Sequence, residues 1–356
     1  MTMKNLKKIE IKYALKSFKL KDDFKISRAS KKNIQVVDIF VTINGITGIS
    51  ECVPYSRYNE NINDIISYLN NNSQNLEKLI KKQNIIKIPY LCLQNALSSA
   101  LYDIKLRKKN KILEKKIITA ITIPIFNLKK TKKVLTSFKK TKIIKIKLNQ
   151  EEVIPKLELI KNICPKSQII IDANESWDIK FLKKNITVLE KFNILLIEQP
   201  FAQGKDYLLK KVKTNLQFCA DETFHIKNKN LLKQIQYYDA VNLKLDKFGT
   251  HRQILKYIKL AQKYKKKIML GCMVCSSLSI YPTIQYFKYC DYFDLDGAYF
   301  LKKDRLNGIE YKNGIAKITL LYSKKKASNK RPFFNYKLLK LLARSWCKRF
   351  SRCINH

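Results

Sequence analysis

Glycine, proline, histidine and tryptophan are scarce in this sequence. Its 356 residues include 8 glycines, 8 prolines, 3 histidines and 2 tryptophans. So little glycine and proline excludes collagen-like chains and chains dominated by flexible linkers. Acidic residues are also scarce, with 28 Asp and Glu against 72 Lys and Arg. Apolar residues make up 46% of the chain, which excludes a disordered protein and predicts one large domain or two ordinary ones.

The net charge of +44 first suggests a nucleic-acid or anionic-membrane partner. Only nine of the basic residues are arginine, however, and it is arginine that offers a planar fork to phosphates and guanine edges. Lysine, asparagine and isoleucine are abundant instead, and all three have A/T-rich codons. We therefore attribute most of the charge to codon composition and consider a nucleic-acid partner only for the C-terminal tail.

Long apolar runs are missing as well. Lysine interrupts the first twenty residues throughout, so they lack the apolar core of a signal peptide, and no run is long enough to span a membrane. The nine cysteines are scattered, which is typical of reduced thiols in the cytoplasm. Cys272 and Cys275 form a CxxC motif without a second cysteine or histidine pair, so we interpret them as buried thiols at a strand end.

From Thr119 onward, short β-branched runs recur roughly every 25 residues, with Lys-rich amphipathic stretches between them. The eight runs cover residues 120–126, 143–148, 168–175, 194–200, 218–223, 240–246, 267–274 and 292–297. Eight strands alternating with helices predict a barrel of the (β/α)₈ type. Each run begins apolar and ends polar, and the active site of such a barrel lies where its strands end.

Residues 1–118 do not follow this repeat. They predict strands, a hairpin around Asn44 to Gly48, and helices that include an amphipathic helix from Leu91 to Lys108. We interpret them as an α+β domain packed on a barrel of residues 119–300. Residues 324–356 contain many Lys and Arg but no Asp or Glu, and we interpret them as a basic tail.

Three carboxylates end three successive strand runs: Asp172 in IDAN, Glu198 in IEQP and Asp221 in ADET. Successive strands of a parallel barrel are neighbours, so these side chains should converge at the mouth. Three convergent anions repel one another unless a cation lies between them. Oxygen ligands with open positions for a substrate suit Mg²⁺, so the sequence predicts a magnesium site.

Three lysines accompany these acids. Lys145 and Lys147 are two apart on the second run, so their side chains point to the same face. Two ammonium groups in one cavity are expected to lower the pKa of at least one lysine towards neutrality, as a general base requires. Lys244 lies on the sixth run, across the barrel, so a substrate at the metal would have a lysine on each side.

The eighth run contains Asp294 and Asp296, again two apart. They form either a clamp for a substrate ammonium group or an ordinary turn after a strand. No histidine ends a strand in this half of the chain, so a His–Asp dyad has little support. We expect His225 and His251 at structural or surface positions.

With these residues assembled, the chain resembles the enolase superfamily, and within it the dipeptide epimerases of the L-Ala-D/L-Glu epimerase type. The resemblance covers roughly residues 9–320. It is carried by GISECVPYSRY, NALSSALYDIK, TAIT, KIK, IDAN, IEQP, ADET, VNLKLDKFG, GCMV and DLD. It implies an α/β fold, a TIM-like (β/α)₇β barrel with an N-terminal α+β capping domain, to which residues 301–323 return.

The resemblance also implies residue roles. Asp172, Glu198 and Asp221 would bind Mg²⁺, and Lys147 and Lys244 would form the acid/base pair. The residues implied to contact the substrate are Thr122, Lys145, Cys272, Val274, Asp294 and Asp296. Of these, the two aspartates would hold the free amino group of a dipeptide. Cap loops around residues 18–30 and 54–58 would close over the mouth.

This assignment agrees with the chemistry. A proton α to a carboxylate is only weakly acidic, so cations must stabilise the enediolate, and two lysines on opposite faces can then invert the stereocentre. The implied function is Mg²⁺-dependent epimerisation of a dipeptide residue.

Two alternatives stay open. One is another lysine-pair reaction, namely o-succinylbenzoate synthesis or N-acylamino acid racemisation, and the other is a decayed enzyme that binds nucleic acid or lipid through its tail. Homo-oligomerisation also stays open.

Three positions depart from the family pattern. Cys275 replaces the glutamate of GCMxE, Thr250 follows Gly249 where a second glycine is usual, and Ser50 stands where glycine is common. We expect the loss of a charge at position 275 to alter or weaken activity.

Overall fold

The computed structural model describes residues 9–26, 29–109 and 113–320. The tail predicted at residues 324–356 lies outside them. Every helix within the described residues is too short or too polar to cross a bilayer.

Eight parallel strands form a barrel, and each lies within one of the eight predicted runs. They are β5 (Ile121–Ile123), β6 (Ile143–Lys147), β7 (Gln168–Asp172), β8 (Ile194–Glu198), β9 (Phe218–Ala220), β10 (Ala240–Lys244), β11 (Lys267–Gly271) and β12 (Tyr292–Asp294). Their order in the sheet follows the chain. The amide of Ala120 donates to the carbonyl of Phe293 at 2.8 Å, which brings β12 back beside β5. The predicted barrel is confirmed.

Helices cover the outside of the barrel. They are α4 (Leu128–Leu135), α5 (Val153–Ile163), α6 (Ile179–Leu189), α7 (Leu231–Gln234), α8 (His251–Lys263) and α9 (Ser277–Ile280). The connection from β8 to β9 differs from the predicted alternation, because it contains only a 3₁₀ turn, Asp206–Lys211. Asp206 is fully buried and accepts hydrogen bonds from Tyr238 and Thr223, which keeps this connection close to the sheet.

The pleat of the strands divides the barrel interior into an apolar floor and a polar mouth. On β6, Ile143 packs in a small buried cluster with Ile170, Leu196 and Met269 from other strands. The next inward-facing residue of a strand lies two positions after the floor residue, about 7 Å closer to the mouth. Polar side chains begin at this level, for example Lys145 after Ile143. The alternate residues of β6, such as Ile144, belong to the large core shared with the helices.

The cap begins with an antiparallel sheet of β1 (Ile9–Ile26), β2 (Ala29–Ile43) and β3 (Ile46–Cys52), followed by α1 (Ile62–Asn71), α2 (Ser73–Lys81) and α3 (Leu91–Lys108). The predicted hairpin is confirmed. Asn44 and Gly45, between β2 and β3, have φ angles of 50° and 79°, as a two-residue turn of type I′ requires.

Helix α3 has the predicted limits, but the prediction that it is amphipathic is wrong. Most of its residues are buried, because one face packs on β2 and β3 while the other meets the barrel. A Cβ at Gly48 of β3 would lie 2.0 Å from the carbonyl oxygen of Ala100, so glycine permits the close approach to the sheet. On the opposite face, the Asn95 side chain donates to Asp246 of the barrel at 2.9 Å.

After the barrel the chain returns to the first part of the molecule. Strands β13 (Glu310–Lys312) and β14 (Ile315–Leu320) form an antiparallel sheet with β4 (Leu113–Ile118). Just before them, the side chain of Arg305, which is only 5% exposed, binds Asp38 and Glu51 of the cap sheet and also Ser276 in the loop after β11. One guanidinium therefore joins the cap to a loop of the barrel mouth.

Burial raises the pKa of Asp246 to about 7, against about 3.9 in an unfolded chain. The folded state then keeps a proton that the unfolded state releases, so this group's contribution to stability declines as the pH rises from about 4 to 7. We expect the free energy of unfolding of the wild type to fall relative to that of Asp246→Asn across this range. Urea unfolding at several pH values measures it, with the exposed Asp23→Asn as control. Parallel pH profiles would contradict the expectation.

Candidate active site

A cavity of about 490 Å³ opens where the barrel strands end. The predicted site residues that line it are Thr122, Lys145, Lys147, Asp221, Lys244, Cys272, Val274, Asp294 and Asp296. The other two, Asp172 and Glu198, are fully buried and contact Lys145. The cap contributes Lys31 from β2 and Tyr55 and Tyr58 from the loop after β3. The structure thus brings together all the predicted site residues.

Lys145 lies among three carboxylates. Its Nζ is 3.1 Å from Oδ2 of Asp172, 2.6 Å from Oε2 of Glu198 and 2.7 Å from Oδ2 of Asp294. All four side chains are at most 5% exposed. Because buried charges are costly unless they are paired, this ammonium group is a main stabilising contact for the acids.

The other two predicted lysines lie on β6 and β10, four strands apart in an eight-stranded barrel and so on opposite sides of the cavity. Nζ of Lys147 is 2.6 Å from Asp172 and 3.0 Å from Oδ1 of Asn174. Nζ of Lys244 is 2.7 Å from Oδ2 of Asp221. Each lysine is therefore held by a different carboxylate, with its side chain reaching the cavity wall.

The prediction that repulsion between Lys145 and Lys147 lowers a lysine pKa is wrong for Lys145, and the pKa of Lys244 is also raised. Burial alone would lower both values, but Asp172 and Asp294 raise the pKa of Lys145 well above its ordinary value. Asp221 and Glu198 do the same for Lys244. The prediction considered repulsion between ammonium groups and neglected the carboxylates that the same strand ends bring within contact distance.

The pKa values of the three predicted metal ligands shift in opposite directions, upward for Glu198 and downward for Asp172 and Asp221. Burial and the neighbouring Asp172 raise the pKa of Glu198 to about 7. Burial also disfavours the charged forms of Asp172 and Asp221, but Lys145 and Lys147 hold the pKa of the first below its ordinary value, and Lys244 and Lys247 lower that of the second. A further cation beside these groups would favour the ionised form of Glu198.

Among the described residues, no three acidic, cysteine or histidine side chains are arranged as the ligands of a metal ion. Ammonium groups lie against the three predicted ligands instead. The donor set itself fits Mg²⁺, because it consists of carboxylate oxygens on adjacent strands, with Asp172 paired to Glu198 in register. A metal ion would have to compete with Lys145 for these oxygens.

Asp294 is the last residue of β12, and Asp296 follows it by two residues; both line the cavity together with Thr122 and Cys272. Oδ2 of Asp296 accepts a hydrogen bond from the backbone amide of Thr122 at 2.6 Å. Oδ1 of Asp294 is buried and has no hydrogen-bond partner among the described residues. A buried carboxylate oxygen without a donor is costly, so this position suits a cationic group of a ligand.

The three departures from the family pattern have local explanations. Cys275 is fully buried and does not line the cavity, and burial raises its pKa well above the ordinary value, so it is a neutral thiol. Thr250 caps α8, since its side chain accepts from the amide of Gln253. Ser50 donates to the carbonyl of Ala96 at 2.6 Å and so joins β3 to α3.

Both histidines make structural contacts. The ring of His225 is buried and stacks on Tyr58 with centroids 4.3 Å apart, and burial lowers its pKa to about 3. Nδ1 of His251 lies 2.7 Å from the hydroxyl of Tyr286. These contacts agree with the expected structural positions.

Sequence reasoning missed two residues that support the acids. Nδ2 of Asn242 donates to Oε1 of Glu198 at 2.8 Å, and Lys247 binds Asp221. Asn242 precedes Lys244 by two residues on β10, and this spacing on one strand face was a usable signal. Lys247 follows the strand in a lysine-rich chain, where nothing distinguishes it from a solvated charge.

Two protein families match the chain. Residues 131–319 match the family described as enolase C-terminal domain-like, and residues 8–117 match the mandelate racemase / muconate lactonizing enzyme N-terminal domain. The chain belongs to the enolase superfamily. The predicted family is confirmed, as is the predicted fold of a TIM-like barrel with an N-terminal capping domain.

Curated relatives of this superfamily member are racemases and epimerases. An N-acetyl-D-glutamate racemase from a Pseudoalteromonas species is 34% identical over 278 residues, which are 75% of this chain and 88% of the relative. The L-Ala-D/L-Glu epimerase of Escherichia coli is 29% identical over 315 residues, 85% of this chain and 98% of its own. The predicted enzyme class, an isomerase of amino acid derivatives, is confirmed.

Solved structures of the superfamily show the same fold. An enolase family member from Agrobacterium tumefaciens, with bound sodium and L-Ala-L-Glu, has a TM-score of 0.80 and 27% identity, and the match covers 87% of this chain and 97% of that one. A dipeptide epimerase from Enterococcus faecalis, complexed with Mg and L-Leu-L-Tyr, has a TM-score of 0.76 and 21% identity, with 87% and 96% covered.

Gly271, at the end of β11, makes room for Asn242. A Cβ at this position would lie 2.3 Å from Oδ1 of Asn242, so alanine would displace the side chain that holds Glu198. We expect Gly271→Ala to reduce the free energy of unfolding by about 1–3 kcal/mol, the usual cost of overpacking. Urea unfolding tests this, and a variant as stable as the wild type would show that the site accommodates the methyl group.

Proposed function

We propose that this enzyme is a Mg²⁺-dependent epimerase that inverts the α-carbon of one residue in an L-Ala-D/L-Glu-like dipeptide. The observation that carries the proposal is the pair of lysines, Lys147 and Lys244, on opposite sides of one cavity. Inverting a stereocentre by proton transfer requires one group to remove the proton from one face and another to deliver a proton to the other face.

Asp172, Glu198 and Asp221 are the proposed ligands of the metal. When bound, Mg²⁺ would supply positive charge to the substrate carboxylate as the α-proton leaves. Their burial and their all-oxygen chemistry support this assignment. So does Lys145, whose contacts with two of the three ligands indicate that the site is built to hold a cation.

Each chain residue then has a distinct task in proton transfer. We assign removal of the α-proton to whichever of Lys147 and Lys244 faces it, acting as a neutral amine, while the opposite lysine delivers a proton as an ammonium group. A cation bound at Asp221 would oppose the attraction that raises the pKa of Lys244 and so favour its neutral form. Lys145 remains protonated, because its surrounding acids favour the charged form, and it is placed to bind the substrate carboxylate. Thr122, Cys272 and Val274 complete the proposed wall around the dipeptide.

Asp294 and Asp296 are the proposed binding site for the free amino group. The unpartnered oxygen of Asp294 and the fixed position of Asp296 support this role. At the rim, Lys31 reaches over the ring of Tyr55, with its Nζ 5.3 Å from the ring centroid, and makes no ion pair with a described residue. This cation supports a substrate with an acidic side chain, in line with the glutamate in the names of both relatives.

A second candidate is racemisation of an N-acylamino acid. The 34% identity with the N-acetyl-D-glutamate racemase favours it. Such a substrate has no ammonium group, so it would leave the acidic pair Asp294 and Asp296 without a ligand.

Single lysine variants test the two-lysine mechanism. We expect Lys147→Ala and Lys244→Ala each to slow epimerisation of L-Ala-L-Glu by about 10²–10⁴-fold, the usual contribution of a general base. In D₂O each variant keeps one lysine and should still exchange the α-proton of one diastereomer. One variant should exchange L-Ala-L-Glu, and the other should exchange L-Ala-D-Glu. Proton NMR measures exchange, and chromatography measures epimerisation.

Lys142→Ala is the matched control, because Lys142 is an exposed lysine just before β6. Exchange of both diastereomers at the wild-type rate by both active-site variants would rule out the lysine pair. A wild type that exchanges no α-proton with Mg²⁺ present would overturn the proposed function itself.

Replacing the acidic pair separates the two candidate substrates. Asp294→Asn combined with Asp296→Asn removes both charges opposite the ammonium group, so kcat/KM for L-Ala-L-Glu should fall by about 10²-fold or more. Turnover of N-acetyl-L-glutamate, if the wild type shows any, should fall much less, because it loses only the contact between Asp294 and Lys145. A wild type that prefers N-acetyl-L-glutamate, together with equal losses for both substrates in the double variant, would favour the second candidate.

A further inference from the structure

Lys247 is a fully buried cation beside the proposed metal site. It ends the 3₁₀ turn Leu245–Lys247 that follows β10, and its relative exposure is 0%. Moving an ammonium group out of water costs several kcal/mol unless it is paired and hydrogen-bonded. A lysine at this position therefore requires specific partners.

Three oxygens surround Nζ of Lys247. The ammonium group donates to the carbonyl oxygen of Asp221 at 2.7 Å, to Oδ1 of the same residue at 2.7 Å and to the carbonyl oxygen of Asn242 at 2.9 Å. An ammonium group has three N–H donors, so all of them are satisfied. Lys247 thereby binds the ends of β9 and β10 to each other.

These contacts reach two of the three proposed ligands. Asp221 is held directly, through both its backbone and its carboxylate. Glu198 is held indirectly, through Asn242. The backbone carbonyl of Asn242 accepts from Lys247, and the side-chain amide of Asn242 donates to Oε1 of Glu198 at 2.8 Å. Lys244 contacts the other oxygen of Asp221 from the cavity side, so the two lysines approach the carboxylate from different directions.

We propose that Lys247 is a positioning residue for the metal site, which fixes Asp221 directly and Glu198 through Asn242. The proposal rests on the proposed function. Lys247 does not line the cavity, so it acts on the reaction only through these residues. Groups that orient metal ligands in this way usually contribute about 10–100-fold to metal affinity.

Lys247→Met tests the proposal, because methionine fills a similar volume without charge or donors. Isothermal titration of the full-length protein with MgCl₂ should give a dissociation constant about 10–100-fold above that of the wild type. Excess Mg²⁺ should restore much of the α-proton exchange of L-Ala-L-Glu, and KM for the dipeptide at saturating Mg²⁺ should stay at the wild-type value. A purely structural defect would not be reversed by metal.

Lys156→Met is the matched control. Lys156 is another buried lysine, on α5, and its Nζ is 3.2 Å from the half-exposed Glu152. Its replacement should leave Mg²⁺ affinity unchanged. If Lys247→Met does not fold, Lys247→Gln keeps one donor near the Asn242 carbonyl, and the same weakening of Mg²⁺ binding is expected.

The outcomes separate this inference from the proposed function. A wild type that neither binds Mg²⁺ nor exchanges an α-proton would refute the function. A wild type that does both, with a folded position-247 variant that binds Mg²⁺ equally tightly, would refute only the role of Lys247. Equal weakening in Lys156→Met would also refute it, because the effect would then belong to buried lysines in general.

Discussion

Charge balance inside the barrel mouth is the constraint on which the rest of this structure depends. Four carboxylates and four ammonium groups lie there with side chains at most 11% exposed, each within contact distance of at least one opposite charge. They are Asp172, Glu198, Asp221 and Asp294 with Lys145, Lys147, Lys244 and Lys247. Removing one member leaves an opposite charge uncompensated in a medium of low dielectric constant, which is far more costly than losing a surface pair. The architecture must therefore deliver all eight to fixed positions.

The strand pleat makes this delivery possible. On the barrel strands the inward side chains are two residues apart, and on β6, β7, β8 and β10 an apolar residue is followed by a charged or amide one. The apolar members pack as a floor, which fixes the height of each strand relative to its neighbours. Because Ile143 and Ile170 are held at that level, Lys145 and Asp172 arrive at the mouth within hydrogen-bonding range of each other.

Most of this arrangement could be predicted from the sequence, because it follows from local periodicity. The eight runs predicted the strands, and strand-end polarity identified the acids and three lysines. Lysine pKa values could not be predicted, since they depend on which acids approach from other strands. The burial of α3 was also beyond local patterns, because its second face is covered by a barrel that follows later in the chain. Lys247 lies in a turn, where neither strand nor helix periodicity indicates which way a side chain points.

The contacts of Arg305 have a consequence for how the chain folds during synthesis. Asp38 and Glu51 lie in the cap sheet, and their guanidinium partner follows Glu51 by 254 residues. At typical elongation rates of about 5–20 residues per second, roughly 10–50 s pass between the emergence of these acids and that of their counter-ion. During that time the cap has two acids that its final packing buries, so it cannot reach its final stability alone. Completion of the barrel is thus a condition for completion of the domain that is synthesised before it.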